Sequence, residues 1–507
     1  MHTVKNRALH MLKNDPKQPE FLDFYLPFGG KLSASNRWSK LAEAMPWDLV
    51  EECYASSLAG TGMGAPAKRG RMAYGALIIK ERLGVTDEET VEQIKENPYL
   101  QYFLGLHQYE DKRPFDPSMM VHFRSRFSED HHRKINDAII ETATKQNDDS
   151  DSDPPPPKQS HGGKLLIDAT CTPADITYPT DLGLLNEARE KTEAYIDLLH
   201  EPHKGKRKKL RTYRQKARLR YLNVAKQKKP DKGKIRKAIG QQLRYLRRNL
   251  GHIDKLLELG SSLAELSSYQ LRCLQVIHTL YEQQLGKYEQ GGSSIPDRIV
   301  SIIQPHVRPI VRGKKSNSTE FGAKISVSYQ ADGYVSLDRL SWDAYNEQSD
   351  LIPQVERYKE RFGYYPESIH ADQIYRTKAN RSYCTQKGIR LSAKPLGRPK
   401  KATSQNQEEL KQQRKQLYQD EVDRIPIEGK FGNAKRKGTM SRIMAKLSST
   451  SQTVIHIGMI VLNLDKWLAK LLFCLFSTIM SGLQFSLELV ARVIRSSSTS
   501  FLQNFRI

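Results

Sequence analysis

The chain has 507 residues, 38% of them apolar, and a formal charge of +24 at pH 7. That length and apolar share exclude wholesale disorder and leave room for two or three domains with cores of their own. Five cysteines, Cys53, Cys171, Cys273, Cys384 and Cys474, lie far apart with no CxxC pair, which excludes a zinc knuckle and fits a reducing compartment.

Met1 to Asn14 carries no hydrophobic secretory core, so a cytoplasmic protein is expected. From Phe21 to about Asn147 the pattern is helical. Thr86 and Glu89 form a capping box, and Asp116-Pro117 sets a cap and a first-turn proline ahead of Met119, Met120, Phe123 and Phe127. Helices are expected over Trp47 to Ala59, Arg71 to Leu83, Asp87 to Lys95 and Pro117 to Thr144, giving a helical N-terminal domain at 1–147 for DNA-end binding or dimerisation. The last helix carries Arg124, Arg126, Arg133 and Lys134, which suit either DNA or an ordinary solvated face.

An acidic, proline-rich linker is expected at 148–163, with Pro154 to Pro157 as its spacer. Lys164 to Thr170 then reads as a short buried strand whose apolar run, Leu165-Leu166-Ile167, ends in Asp168. Between 182 and 294 the pattern is helical without a strand signal, and Lys204 to Arg248 holds 20 Lys or Arg against one acid, Asp231. Such a tract repels itself unless a polyanion offsets it, although a solvated helical hairpin has the same composition. Tyr213, Tyr221 and Tyr245 lie among the cations. Arg211, Arg214, Arg218 and Arg247 are the candidate DNA contacts of this insertion.

Strand chemistry resumes at Glu320, with Ile325, Val327 and Tyr329 alternating with polar residues before an Asp332-Gly333 turn into Val335 and Leu337. A helix at Gln348 to Phe362, a strand at Ser368 to Ala371 leading into Asp372, a helix at Lys378 to Lys387 and a strand at Ile389 to Ala393 follow. Gly397 to Lys401 is a basic turn with the look of a minor-groove hook. After the charged stretch Gln405 to Asp423, a helix is expected to begin near Pro426 with Asp423 as its cap. Leu471 to Leu487 runs without a charge but is short for a membrane span and rich in Ser, Thr and Gly, so no stable membrane association is expected. An apolar tail is expected at 468–507.

Three acids in this order, Asp168, Asp372 and Glu428, invite a shared cation, because clustered carboxylates ionise together only when one neutralises them. Taken singly, an Asp after a strand is as well a turn former or helix cap. Asp175 and Asp181 are close enough to Asp168 to be rival ligands. Arg424, Glu428 and Lys435 fall on one helix face, as a surface ion-pair stripe or as a carboxylate between two phosphate-gripping cations.

The order of these acids, with Arg424-x3-Glu428-x6-Lys435 and Phe431-Gly432-x2-Lys435-Arg436, resembles the DDE transposases of bacterial insertion sequences. Leu26 to Gly30, Asn97 to Leu106 and Phe123-Arg124-Ser125-Arg126-Phe127 resemble the N-terminal domain of InsH-type members. Asp168-Ala169-Thr170, Phe321 to Lys324 and Ala371 to Arg376 match in the core. One departure is Glu421, where related transposases often carry a Tyr; Tyr418 lies one turn earlier. The resemblance implies an α/β fold with a ribonuclease-H-like catalytic core at 164–181 and 295–467, interrupted by a large, basic, mostly helical insertion at 182–294. It implies Asp168, Asp372 and Glu428 as catalytic ligands of two Mg2+ (or Mn2+) ions. Arg424, Lys435, Arg376, Lys430 and Arg436 become contacts to double-stranded DNA, both element ends and target, held by a homo-oligomer assembled on DNA at the nucleoid. A metal-dependent nuclease without strand transfer and an inactive DNA-binding derivative are the rival readings.

Overall fold

The computed structural model describes residues 26, 30–58, 66–148, 161–291, 295–311, 319–330, 332–392 and 406–473. The proline spacer, the Gly397 to Lys401 turn and the chain beyond 473, with Cys474, lie outside them.

The N-terminal bundle comprises α1 (Arg37–Ala44), α2 (Trp47–Ser56), α3 (Gly70–Leu83), α4 (Asp87–Glu96), α5 (Pro98–Phe103), α6 (Met119–Arg126) and α7 (Glu129–Asp148). Asn36, Thr86 and Asn97 cap α1, α4 and α5 through their side chains. The single helix expected over Pro117 to Thr144 is two. Phe127 turns extended to bury its ring against Tyr74, 4.7 Å between centroids, and Ser128 Oγ accepts from His131 N–H at 3.3 Å, restarting the helix with Glu129 and Asp130 in its first turn.

β1 (Lys164–Pro173) runs five residues past Asp168, further than the strand expected to end at Thr170. The cause is its partner β3 (Thr319–Gln330), which pairs antiparallel from Leu165↔Gln330 to Pro173↔Gly322. Only glycine fits at 322, since a Cβ there would lie 2.0 Å from Thr172 O. On its other edge β3 pairs antiparallel with β2 (Arg308–Val311), which has no clear sequence signal, and with β4 (Val335–Ser341). Gly333, at φ 89°, makes the turn between β3 and β4. On the far side of β1, β5 (Ser368–His370) and then β6 (Arg390–Ser392) pair parallel. The sheet is thus mixed: an antiparallel half centred on β3, and a parallel half β1-β5-β6.

The helices of the insertion are α8 (Asp181–His200), α9 (Arg214–Ala225), α10 (Lys232–Glu258) and α11 (Ser268–Gln290), around a separate core that includes Leu185, Ile196, Leu246 and Ile277. α12 (Leu351–Phe362) covers one face of the sheet, over Leu165, Ile167 and Ile369. α13 (Lys378–Lys387) joins β5 to β6. The other face is covered by α14 (Gln407–Arg436), whose Ile427, Phe431 and Ala434 pack on Leu166, Ile325 and Val327. α14 begins nineteen residues before Pro426, so Asp423 is no cap. Its carboxylate accepts from Lys164 Nζ at 2.6 Å, and the exposed Pro426 sits inside the helix. A last helix, 448–473, gives Val454, Ile455 and Met459 to the sheet core and Ile460, Leu464 and Trp467 to the N-terminal bundle.

Candidate active site

β1 and β5 are parallel neighbours whose final paired residues are Leu166 and His370. Asp168 and Asp372 each lie two residues beyond that pair, so the parallel register carries both carboxylates to the same end of the sheet. Residues opposite one another on paired strands share a face, so Asp168 stands with Val327, and Thr170 with Ile325, on the side that α14 covers. The buried stripe of Ile427, Phe431 and Ala434 fixes the rotation of α14, and Arg424, Glu428 and Lys435 follow along one edge of that stripe.

Arg424 joins the parts. One guanidinium nitrogen bonds Asp372 Oδ1, and the other donates to Glu428 Oε1 at 3.0 Å. Asp168 feels the same group: burial pushes its carboxyl up to about 6, Asp372 adds to the rise, and its own Ala169 N–H (2.8 Å) and Arg424 oppose it. Lys435 Nζ donates to Thr170 Oγ1 at 3.0 Å, two residues along β1 from Asp168. Arg424 therefore bonds two of the carboxylates and lies in the field of the third, and an oxygen-only donor set suits Mg2+ or Mn2+ better than zinc.

The rival ligands are engaged elsewhere. Asp175 is bound by Arg442 and Lys446, and Asp181 by Lys287 (2.8 Å) and Arg298 (3.0 Å). Among the described residues the three-residue group whose ligand atoms all lie within 4.8 Å of one another is a different one, His370, Asp420 and Asp423, which sequence reasoning did not anticipate. Its acids already have cations: Arg390 holds Asp420 through two bonds of 2.9 and 3.0 Å, and Lys164 holds Asp423. Burial holds the His370 imidazole below its ordinary range, and therefore neutral. The group reads as a polar fastening of α14 onto β5 and β6. His370, the last residue of β5 and two residues before Asp372, was its sequence signal.

The other sequence candidates are dispersed. Arg376 is half-buried just after Asp372, and Arg436 is exposed at the end of α14. Lys430 points away from Glu428, into a cavity beside the N-terminal bundle. In the insertion, Arg214 is held by Asp197 (2.7 and 3.0 Å), Arg211 lies 4.7 Å over the Tyr213 ring, and Arg218 and Arg247 are exposed. Arg248 stacks between Tyr213 and Tyr245, at 4.7 and 5.0 Å.

A mixed α/β sheet that gathers three carboxylates at one end, under a helix lined with cations, defines a candidate site for metal-assisted phosphoryl transfer. Residues 369–465 match the family model described as "Transposase DDE domain", and residues 27–126 match the one described as "Transposase domain (DUF772)". The resemblance to DDE transposases of insertion sequences thus stands on two separate stretches, the first of which holds Asp372, Arg424, Glu428 and Lys435. A Rhizobium meliloti protein described as "Uncharacterized protein ORF8 in nfe locus" is 28% identical over 149 residues, covering 29% of this chain and 67% of its own length. No solved structure matches the chain. No helix of the described residues is long and apolar enough to cross a membrane.

Proposed function

We propose that the protein is a DNA transposase that cleaves and joins strands at the terminal inverted repeats of an insertion sequence. In this reading Asp168, Asp372 and Glu428 hold two Mg2+ or Mn2+ ions in a ribonuclease-H-like core. The observation that carries it is the gathering of those acids, from β1, the end of β5 and α14, at one end of the sheet, with Arg424 bonded to Asp372 and Glu428 and within the field of Asp168. The antiparallel-then-parallel strand order supports the core assignment.

Bound ions would supply neutralising charge at the attacking and departing oxygens of a phosphodiester. The chain supplies the rest. Once Asp372 and Glu428 have another counter-charge, Arg424 is released to grip a phosphate oxygen, with Lys435 about three turns, roughly 16 Å, further along the same helix face. Water, and afterwards the freed 3′ hydroxyl of the element, attacks in line, so no covalent enzyme intermediate forms. The N-terminal bundle and the basic insertion, through Arg211, Arg214, Arg218 and Arg247, hold duplex DNA by its phosphates. Two ends and one target call for a homo-oligomer assembled on DNA.

The test uses duplex DNA from the flanks of the gene, with a precut 3′ end and an unrelated target duplex. Joining that requires Mg2+ or Mn2+ and is lost in Asp372→Asn is the expected result. Cleavage without joining would make the protein a nuclease, DNA binding with neither would make it a non-catalytic binder, and full activity in Asp372→Asn would remove the assigned site.

A further inference from the structure

Half a turn around α14 from Glu428, the helix meets the N-terminal bundle and the 448–473 helix at a cavity of about 450 Å³. Besides Arg82 of α3, four cations line it: Arg37 from α1, Lys430 and Lys437 from α14 and its C-cap, and Lys466 from the 448–473 helix. None of the four has an ion-pair partner among the described residues. The lining acids are already engaged. Asp465 accepts from Arg82 at 2.8 Å, and Glu81 is buried, takes a hydrogen bond from Thr439 and is held above the usual carboxylate range by burial. Burial, with Lys466 beside it, pushes the Lys430 ammonium down to about 8. Lys430 and Lys466 are half-buried and Arg37 and Lys437 exposed at the rim, and an anion that enters offsets the desolvation of Lys430 and the repulsion among the four.

We propose that this cavity is a phosphate-binding site, distinct from the carboxylate cluster, that takes a phosphate oxyanion either from a nucleic-acid backbone or free in solution. Three of the four cations are lysines, point charges without a planar fork. They match a tetrahedral anion approached from several sides better than a flat carboxylate. The cavity lies where the N-terminal bundle meets α14, so a bound phosphate ties the two together through charge. The inference does not rest on the metal ligands.

The experiment is competitive amine acylation of the full chain near pH 8, read by mass spectrometry at Lys430 and Lys466. It is run in buffer, with inorganic phosphate, and with a duplex of arbitrary sequence. A drop of about fivefold or more at both lysines is expected, with Lys40, already paired to Glu43, unchanged in the phosphate arm. Alongside it, the salt dependence of duplex binding is compared between the wild type and Lys430→Met/Lys466→Met. Loss of two phosphate contacts flattens the slope of log K against log[salt] by roughly one to two. Protection by duplex with a flatter slope assigns a backbone phosphate, and protection by inorganic phosphate assigns a free oxyanion. No protection in either arm, or duplex protection with an unchanged slope and no phosphate effect, overturns the proposal. If the double variant fails to fold, labelling of the unmodified chain decides through the phosphate arm. The labelling at Lys430 and Lys466 requires neither metal nor strand joining, so failure of the strand-joining assay and failure of this site are separable.

Discussion

Arg424 holds together two carboxylates that would otherwise repel each other and Asp168. Both are more than half exposed, at 53% and 58% for the Asp372 and Glu428 side chains, so each pair is worth at most about 1 kcal/mol in water. Arg424→Gln should therefore lower the melting temperature of the metal-free protein only slightly. In millimolar Mn2+ the deficit should shrink or vanish, since the ion takes over the neutralising role. Scanning fluorimetry with and without Mn2+ checks this, and an equal deficit in both would mean that Arg424 is an ordinary structural residue. The Arg424–Glu428 pair was legible from sequence because a four-residue spacing on a helix is local geometry. The reach of Arg424 to Asp372 was not, because it depends on how α14 is rotated over β5. Lys430 shows the converse: six residues from Arg424, it reads as one more DNA contact, but the helix turns it toward Lys466.

α14 carries two of the site's side chains across a proline. At position 426 the helix loses one backbone hydrogen bond, to the carbonyl of Val422, and gains a steric load that costs on the order of 3 kcal/mol in a regular interior. Pro426→Ala should raise the thermal midpoint by relieving part of that cost, while shifting Glu428 relative to Arg424 and so reducing strand joining. A variant both less stable and fully active would count against this. The insertion is anchored by Asp181, at the start of α8, to Lys287 near the end of α11 and to Arg298 beyond it. Burial works against ionisation of Asp181, but Lys287, Arg298 and Gln284 outweigh it and hold the carboxyl below its ordinary range. Its contribution is thus present above about pH 4 and disappears as pH falls through its lowered value. Asp181→Asn should cost on the order of 2 kcal/mol at pH 7, with the gap to wild type closing below about pH 4 in a series of melts. The helical character of this insertion and the β3–β4 hairpin were legible through periodicity and turn chemistry. The Gln- and Lys-rich first half of α14 was not, because a helix with little buried surface has no apolar stripe to read, and the break at Phe127 was hidden because a tertiary contact with Tyr74 pulls that residue out of the helix.

The molecule is held together across its parts by the 448–473 helix, which shares its apolar side chains between the sheet and the N-terminal bundle. At the junction sits Asn463, fully buried. Its Oδ1 accepts from Val335 N–H at 2.9 Å, and its Nδ2 donates to Val335 O at 2.8 Å and to Asn136 Oδ1 at 2.7 Å, linking β4, α7 and the last helix in one network. Nothing in the sequence announces this, because an asparagine inside an apolar helix declares a need for partners but not where they are. Asn463→Leu keeps the volume approximately and strips the Val335 N–H of its acceptor, at about 1–3 kcal/mol for each buried group left unpaired. The same change takes the last helix out of this network and leaves Asn136 Nδ2 on Val335 O, at 3.2 Å, as the remaining bond between α7 and β4. The wild type should therefore unfold with these two parts in one calorimetric transition. Asn463→Leu should melt lower and split that transition, as the bundle and the sheet keep only that one bond of the network through which each stabilises the other. A lower but still single transition would show that the apolar contacts of the helix suffice to couple them, and that the buried amide serves only its own hydrogen bonds.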